Sequence, residues 1–152
     1  LARRLTRMAV EDIGLADPTA LQTAVAAAHA VEFIGMPEGR INLAQAVIAL
    51  ALAPKSNAVI KAVDAALGDV NAGRIGLVPA HLRDAHYPGA KRLGHGQEYA
   101  YAHDEPHGIA AQQYLPEELA DARYYIPTEH GAEAALVSRL ARIEELLGRS
   151  DD

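Results

Sequence analysis

Apolar side chains recur every three or four positions through the first seventy residues, the period of an amphipathic helix. Leu1, Leu5, Met8 and Ala9 share one face of a first helix, Arg3, Arg7 and Glu11 stand four apart on another, and Gly14 supplies a stop. Asp17-Pro18 reads as an N-cap followed by proline at the first helical position, after which Leu21, Val25, Ala28 and Val31 hold one side until Gly35. Pro37 opens a third helix in the same way. Its Ile41, Leu43, Val47, Ile48, Leu50 and Leu52 leave almost no polar face before Pro54, so this helix must be surrounded on most sides. Ser56 caps a fourth, with Val59, Val63, Ala66, Leu67 and Val70 on one face and Lys61, Asp64 and Asn71 on the other.

At the far end Thr128 caps a last helix with an acidic first turn (Glu129, Glu133), a core face of Leu136, Leu140, Ile143 and Leu147, and a stop at Gly148. Between these patterned ends, residues 73–127 keep no sustained period. They hold six of the twelve Gly, five of the eight Pro, all six Tyr and five of the seven His. Short helical turns fit Pro79 to Arg83 and Pro116 to Leu119, and short strands are allowed for elsewhere in the stretch. An irregular run of this length is rare inside a domain unless packed down or functional. Its tyrosines favour packing over a linker, because linkers are poor in aromatics. The expected organisation is one helical domain over 1–152: four helices in 1–72, an irregular segment in 73–127 packed on the core, and a C-terminal helix in 128–148.

Composition narrows the class to all-α. Of 152 residues, 32 are Ala, the smallest apolar side chain, and only seven are aromatic, which suits closely packed helices and argues against a sandwich or barrel. There is no Cys, so disulfides, thiolate metal sites and Cys nucleophiles are excluded. The net charge of −6 lies wholly in the second half: residues 1–76 carry seven basic and seven acidic side chains, residues 77–152 seven and thirteen. A broad polyanion-binding surface is therefore disfavoured there. The least charged run, Ile41 to Pro54, is too short and too polar to span a bilayer. With Leu1 in place of a start methionine, the chain reads as a piece of something longer.

Chemistry-bearing motifs are few. No Gly-x-x-x-x-Gly-Lys-Ser/Thr occurs, Gly94-His95-Gly96 lacks a third glycine and a preceding strand, and no Gly-x-Ser-x-Gly is present. His95, His103, Asp104 and His107 offer imidazoles and a carboxylate of the kind borderline metals accept, yet Pro106 forbids the helical i, i+4 presentation that paired histidines use. A solvated acidic turn with His capping backbone groups is the commoner arrangement. The tyrosines, near Lys91, Arg92 and Arg123, could stack bases, but residues 73–127 hold five basic against seven acidic side chains, and half-buried packing fits better. Two polar candidates remain: the stripe Arg3, Arg4 and Arg7 as a DNA contact, and Lys55, Ser56 and Asn57 at a helix N-terminus as an anion or partner contact. No catalytic residue, metal ligand or cofactor-binding residue is assigned.

Specific runs carry a resemblance. Glu11-Asp12-Ile13-Gly14, Ala16-Asp17-Pro18, Gly35-Met36-Pro37-Glu38-Gly39, Leu43-Ala44-Gln45-Ala46-Val47 and Leu50 through Val59 are followed by His81-Leu82-Arg83-Asp84-Ala85, Tyr101-Ala102-His103-Asp104, Gln113 through Leu119 and Tyr125-Ile126-Pro127-Thr128. In order and over nearly the whole chain, they resemble the C-terminal region of the RarA/MgsA family of clamp-loader-like AAA+ ATPases, replication-associated recombination proteins related to the Werner-helicase-interacting ATPase. The resemblance implies an all-helical domain similar to a clamp-loader collar, assembling a homotetramer, with ATP and Mg bound in an ATPase core outside this sequence. It implies a parent that acts on DNA at stalled forks and in recombination and repair, in the bacterial cytosol near the nucleoid, with single-stranded-DNA-binding protein or replisome components as further partners. Relatives tend to have Lys and Gly where this chain has Gln97-Glu98-Tyr99-Ala100, which counts against DNA contact by that loop. The rival readings are a nucleic-acid-binding module and a small metal-dependent hydrolase.

Overall fold

The computed structural model of the chain describes residues 1–149, which form five α-helices joined by short tight helical turns, with no strand among them. The helices are α1 (Ala2–Met8), α2 (Ala20–Ile34), α3 (Arg40–Leu52), α4 (Ala58–Asn71) and α5 (Glu133–Leu146). The all-α class follows from the Ala-rich periodic runs; the short strands allowed for in the irregular stretch do not form among the described residues.

The described residues gather into two compact units. The first comprises Leu1–Ala65 and Tyr124–Ser138, the second Ala66–Arg123 and the chain from Arg139 onward. The division falls inside α4 and α5, not where the period of the sequence changes.

In the first unit, α1, α2 and α3 pack on one another around Leu5, Ala9, Ile13, Ala20, Ala24, Ala27, Ala46 and Leu50. Five of these eight are Ala, so helix axes approach closely and only Leu5, Ile13 and Leu50 add bulk. After α1 the chain widens into a π turn (Ala9–Ile13) and then tightens into a 3-10 turn (Gly14–Ala16). Gly14 makes this reversal at φ 54°, ψ −131°, a region that side chains avoid, so the stop read from the sequence is a conformational requirement.

Helix starts lie later than their sequence signals. Asp17 closes a turn ahead of the helix instead of capping it: its Oδ1 accepts the Thr19 N–H at 2.9 Å and the Thr19 hydroxyl at 2.7 Å, the N-cap position is Thr19, and regular helix begins at Ala20. Pro37 lies in the turn before α3, which starts at Arg40. The stretch 128–132 is likewise turn, and α5 begins at Glu133. On α4 the expected inward face is only partly covered, since Val63, Leu67 and Val70 are each more than half exposed.

The second unit contains most of the irregular stretch. Five 3-10 turns punctuate it, including Ala80–Leu82 and Glu117–Leu119 where helical turns were expected. Side-chain amides hold its backbone together. Gln112 pairs with Ala100 in both directions, its Oε1 accepting the Ala100 N–H at 3.1 Å and its Nε2 donating to the Ala100 carbonyl at 2.8 Å. Gln112 Nε2 also donates to the Tyr114 hydroxyl at 3.1 Å, and the Gln113 carbonyl accepts from His81 Nε2 at 2.8 Å. Tyr87, Tyr99, Tyr101 and Tyr114 stand about half exposed.

Candidate functional site

The outer side of α3 is apolar. A turn of 100° per residue places Ala46 and Leu50 toward the core, where each is 1% exposed. It places Ile41, Ala44, Ile48 and Leu52 on the opposite side, with Ile41 67%, Ile48 59% and Leu52 81% exposed. Phe33, Ile34 and Met36 are also exposed where α2 turns into α3. A helix apolar on both sides is what the sequence pattern predicts, and this chain covers only one of them.

The polar candidates fall elsewhere. Arg3, Arg4 and Arg7 are exposed on α1. Arg7 is committed to Glu11, with Nε 2.5 Å from Oε2 and Nη2 3.2 Å from Oε1. That hydrogen-bonded pairing raises the Arg7 pKa and lowers that of Glu11, a lowering to which the charge of Arg4 also contributes. Lys55 turns back onto the end of α3, its Nζ donating to the carbonyls of Leu50 at 3.0 Å, Ala51 at 3.3 Å and Ala53. It thereby satisfies orphan carbonyls at a helix C-terminus, where a cation is also favoured by the dipole. Ser56 is buried, whereas Lys55 and Asn57 are exposed. The structure gives Lys55 and Ser56 hydrogen-bond partners within the chain.

What the sequence did not reveal is the partner of Ser56. Its Oγ donates to Glu133 Oε2 at 2.7 Å across 77 residues of chain and accepts the Ala58 N–H at 3.2 Å, so the capping role assigned to Ser56 holds. Glu133 is 0% exposed, and it also accepts the Thr128 N–H at 2.9 Å, the Thr128 hydroxyl at 2.6 Å and the Tyr125 hydroxyl at 2.9 Å. Burial alone would raise its pKa. The bonds from Thr128, Ser56 and Tyr125 outweigh that and hold the carboxyl below its ordinary value. The same burial, with the carboxylate beside it, pushes the Tyr125 phenol up to about 12. Glu133 reads in the sequence as one more acid in a first turn, and its separation from Thr128 does not match the usual capping box, so no local signal marks it.

Gly131 closes the same region. At φ 53° a Cβ there would stand 2.2 Å from the Ala16 carbonyl oxygen and 2.5 Å from the Pro54 ring, while the next N–H, of Ala132, donates to that carbonyl at 2.8 Å. Gly131→Ala is therefore expected to lower stability by about 2 kcal/mol, read as a drop in thermal midpoint. An unchanged midpoint would contradict this packing.

The histidines of the metal reading are dispersed. His95 receives Arg83 Nη1 at 3.4 Å on Nε2 and lies 2.7 Å from the Tyr87 hydroxyl through Nδ1, while His103 packs its ring 5.0 Å from that of Tyr101. Among the described residues no three His, Asp or Glu side chains converge as metal ligands. No described helix is long and apolar enough to cross a membrane.

Three helices around an alanine-rich core, with an uncovered apolar helix face and no phosphate-cradling glycine loop in the sequence, belong to a chain whose described residues are otherwise helices and turns, an all-helical module. The chain belongs to the family of MgsA AAA+ ATPase C-terminal domains, whose model matches residues 1–144. It is 56% identical over 147 residues (97% of this chain, 32% of the relative) to an uncharacterised AAA domain-containing protein of Mycobacterium tuberculosis. Over 131 residues (86% of this chain, 31% of the relative) it is 52% identical to replication-associated recombination protein A of Bacillus subtilis. With ATPase WRNIP1 of Dictyostelium discoideum the identity is 38% over 126 residues (82% of this chain, 14% of the relative). The chain thus spans about a third of the length of the bacterial relatives it matches. The family resemblance carried by the runs quoted above is borne out.

Proposed function

We propose that this chain is the oligomerisation module of a DNA-dependent AAA+ ATPase, holding four copies together in replication-fork maintenance, recombination and repair. The observation that carries this reading is α3, apolar on the side that packs inward and equally apolar on the side left open. Apolar patches beyond a few hundred Å² mark interaction surfaces in soluble proteins. A closed tetramer built from two-fold pairs needs two such surfaces per copy. Relatives named for replication-associated recombination support the cellular setting. In this reading ATP and Mg belong to the ATPase part of the parent, DNA is engaged by the full-length protein with Arg3 and Arg4 as this module's candidate contribution, and the module's own partner is itself. The module is assigned no hydrolytic activity, because a phosphate-cradling loop with its Lys and hydroxyl is missing from its sequence. Light scattering coupled to size exclusion is expected to give about 64 kDa, four times the chain mass of 16.1 kDa. A constant mass near that of one chain, from low to high micromolar concentration, would remove the proposal's support.

A further inference from the structure

The outer stripe of α3 has a defined shape. Ile41, Gln45, Ile48 and Leu52 are spaced i, i+4, i+7 and i+11, the spacing of a helix–helix seam. Beside it, between α2 and α3, runs a groove of about 370 Å³ floored by Ala26, Ala27, Ala30 and Ala46 and edged by Thr23, Asn42 and Gln45. Large side chains on a ridge next to a trough of small side chains with a polar edge can pack on the same surface of a second copy, the ridge of one entering the trough of the other. Resting on the oligomerisation reading above, we infer that the α2–α3 hairpin pairs with the α2–α3 hairpin of a second copy, the two α3 helices antiparallel about a two-fold axis, to form a four-helix bundle.

Three observations select a second copy as the occupant. The seam is uncharged: between Arg40 and Lys55 the chain has no ionisable side chain, and both of these cations already bond to backbone carbonyls, Arg40 to that of Pro37. A nucleic acid would find no phosphate partners along the seam, an acidic or basic peptide no counter-charge, and a lipid surface only the two end cations, already bonded to carbonyls, in place of the Lys- and Arg-rich polar face that interfacial helices use. The area is sufficient. With Phe33, Ile34 and Met36 at the adjoining turn, the exposed apolar side chains offer on the order of 800 Å², about what one partner contributes to a standard interface. Antiparallel pairing also sets the two helix dipoles head to tail, and the single polar group on the seam, Gln45, is an amide that can both donate to and accept from its own kind, so a symmetric contact leaves it satisfied.

The test uses the full 152-residue chain and one exposed position. Ile48→Glu and Ile48→Lys each place a charge at the middle of the seam without entering the core, and far-UV circular dichroism checks that helicity is kept. Each variant alone is expected to lose at least half of the wild-type mass in light scattering, and an equimolar mixture is expected to recover the lost association, because opposite charges then face each other. A wild-type mass retained by Ile48→Glu would overturn the inference while leaving oligomerisation itself standing. Loss of mass by both variants without recovery on mixing would show that the seam meets a different surface of the second copy and would overturn the symmetric pairing. A wild-type chain that is monomeric throughout would remove the oligomerisation reading and this inference with it.

Discussion

Glu133→Ala is expected to destabilise the chain by about 3 kcal/mol, more than the loss of an ordinary surface acid by several fold, because it strands donors that have no other acceptor. The carboxylate takes hydrogen bonds from the Ser56 hydroxyl, the Thr128 N–H and hydroxyl, and the Tyr125 hydroxyl, and Ser56 is buried with it. Glu133→Gln is expected to cost only about 1 kcal/mol: the amide oxygen can take the place of Oε2, which accepts three of the four bonds, and the amide nitrogen can donate to the tyrosine oxygen. The two variants also separate hydrogen bonding from charge. Because the folded-state pKa lies below the ordinary value of 4.5, the charge contributes its full stability above that value and loses it as pH falls through the folded pKa. Urea unfolding at neutral pH and again near pH 3 should therefore show the gap between wild type and Glu133→Gln narrowing in acid. Glu11 and Asp84, whose pKa values are also lowered, titrate alike in both proteins and cancel in the difference. A gap that stays constant with pH would mean that Glu133 is protonated in the native state.

The helices were legible because apolar residues at helical spacing need no tertiary information. Leu5 and Leu50 lie on the core as their periods require, but on α2 the side read from spacing, Leu21, Val25, Ala28 and Val31, is not the buried one. Ala20, Ala24 and Ala27 face the core and Leu21 is 42% exposed, because the close approach of the helices selects the small side chains. The helix starting points were less legible. Asp17, Pro37 and Thr128 are turn-formers as well as helix signals, and in each case the chain makes a turn before regular helix begins. The apolar face of α4 was read from spacing alone, and spacing does not say what such a face meets. The Ser56–Glu133 pair was out of reach for a different reason. Its partners are 77 residues apart, and nothing local distinguishes a first-turn carboxylate favoured by the helix dipole from one buried under four donors. Lys55 is the converse case. A Lys before a helix N-terminus resembles an anion site, yet the preceding helix ends within reach of its ammonium and its free carbonyls are the nearer partners.

Leu50→Ala carries the other large expected effect, about 4 kcal/mol, toward the upper end for a buried leucine. The cost of such a cavity depends on how far neighbours can move into it. Here most of the buried residues are alanines, which have no rotamers to change, and the bulky groups are the buried Leu5 and Ile13 with the partly buried Met8 and Leu43 at the edge of the core. Most of the vacated space stays empty, so both the lost burial and the cavity add to the penalty. Ile48 lies two positions earlier on the same helix and faces outward, so Ile48→Ala should change the stability of the single chain by no more than about 0.5 kcal/mol. Its effect should emerge only at concentrations where copies associate, because a partner that binds the folded chain alone adds stability by mass action. Urea unfolding of both variants at low and high micromolar concentration separates the two faces: the Leu50→Ala deficit should be the same at both, and the Ile48→Ala deficit should grow with concentration. Equal deficits at low concentration would mean that the outer side of α3 is packed within the chain, and the helix would then have one solvent face instead of two apolar ones.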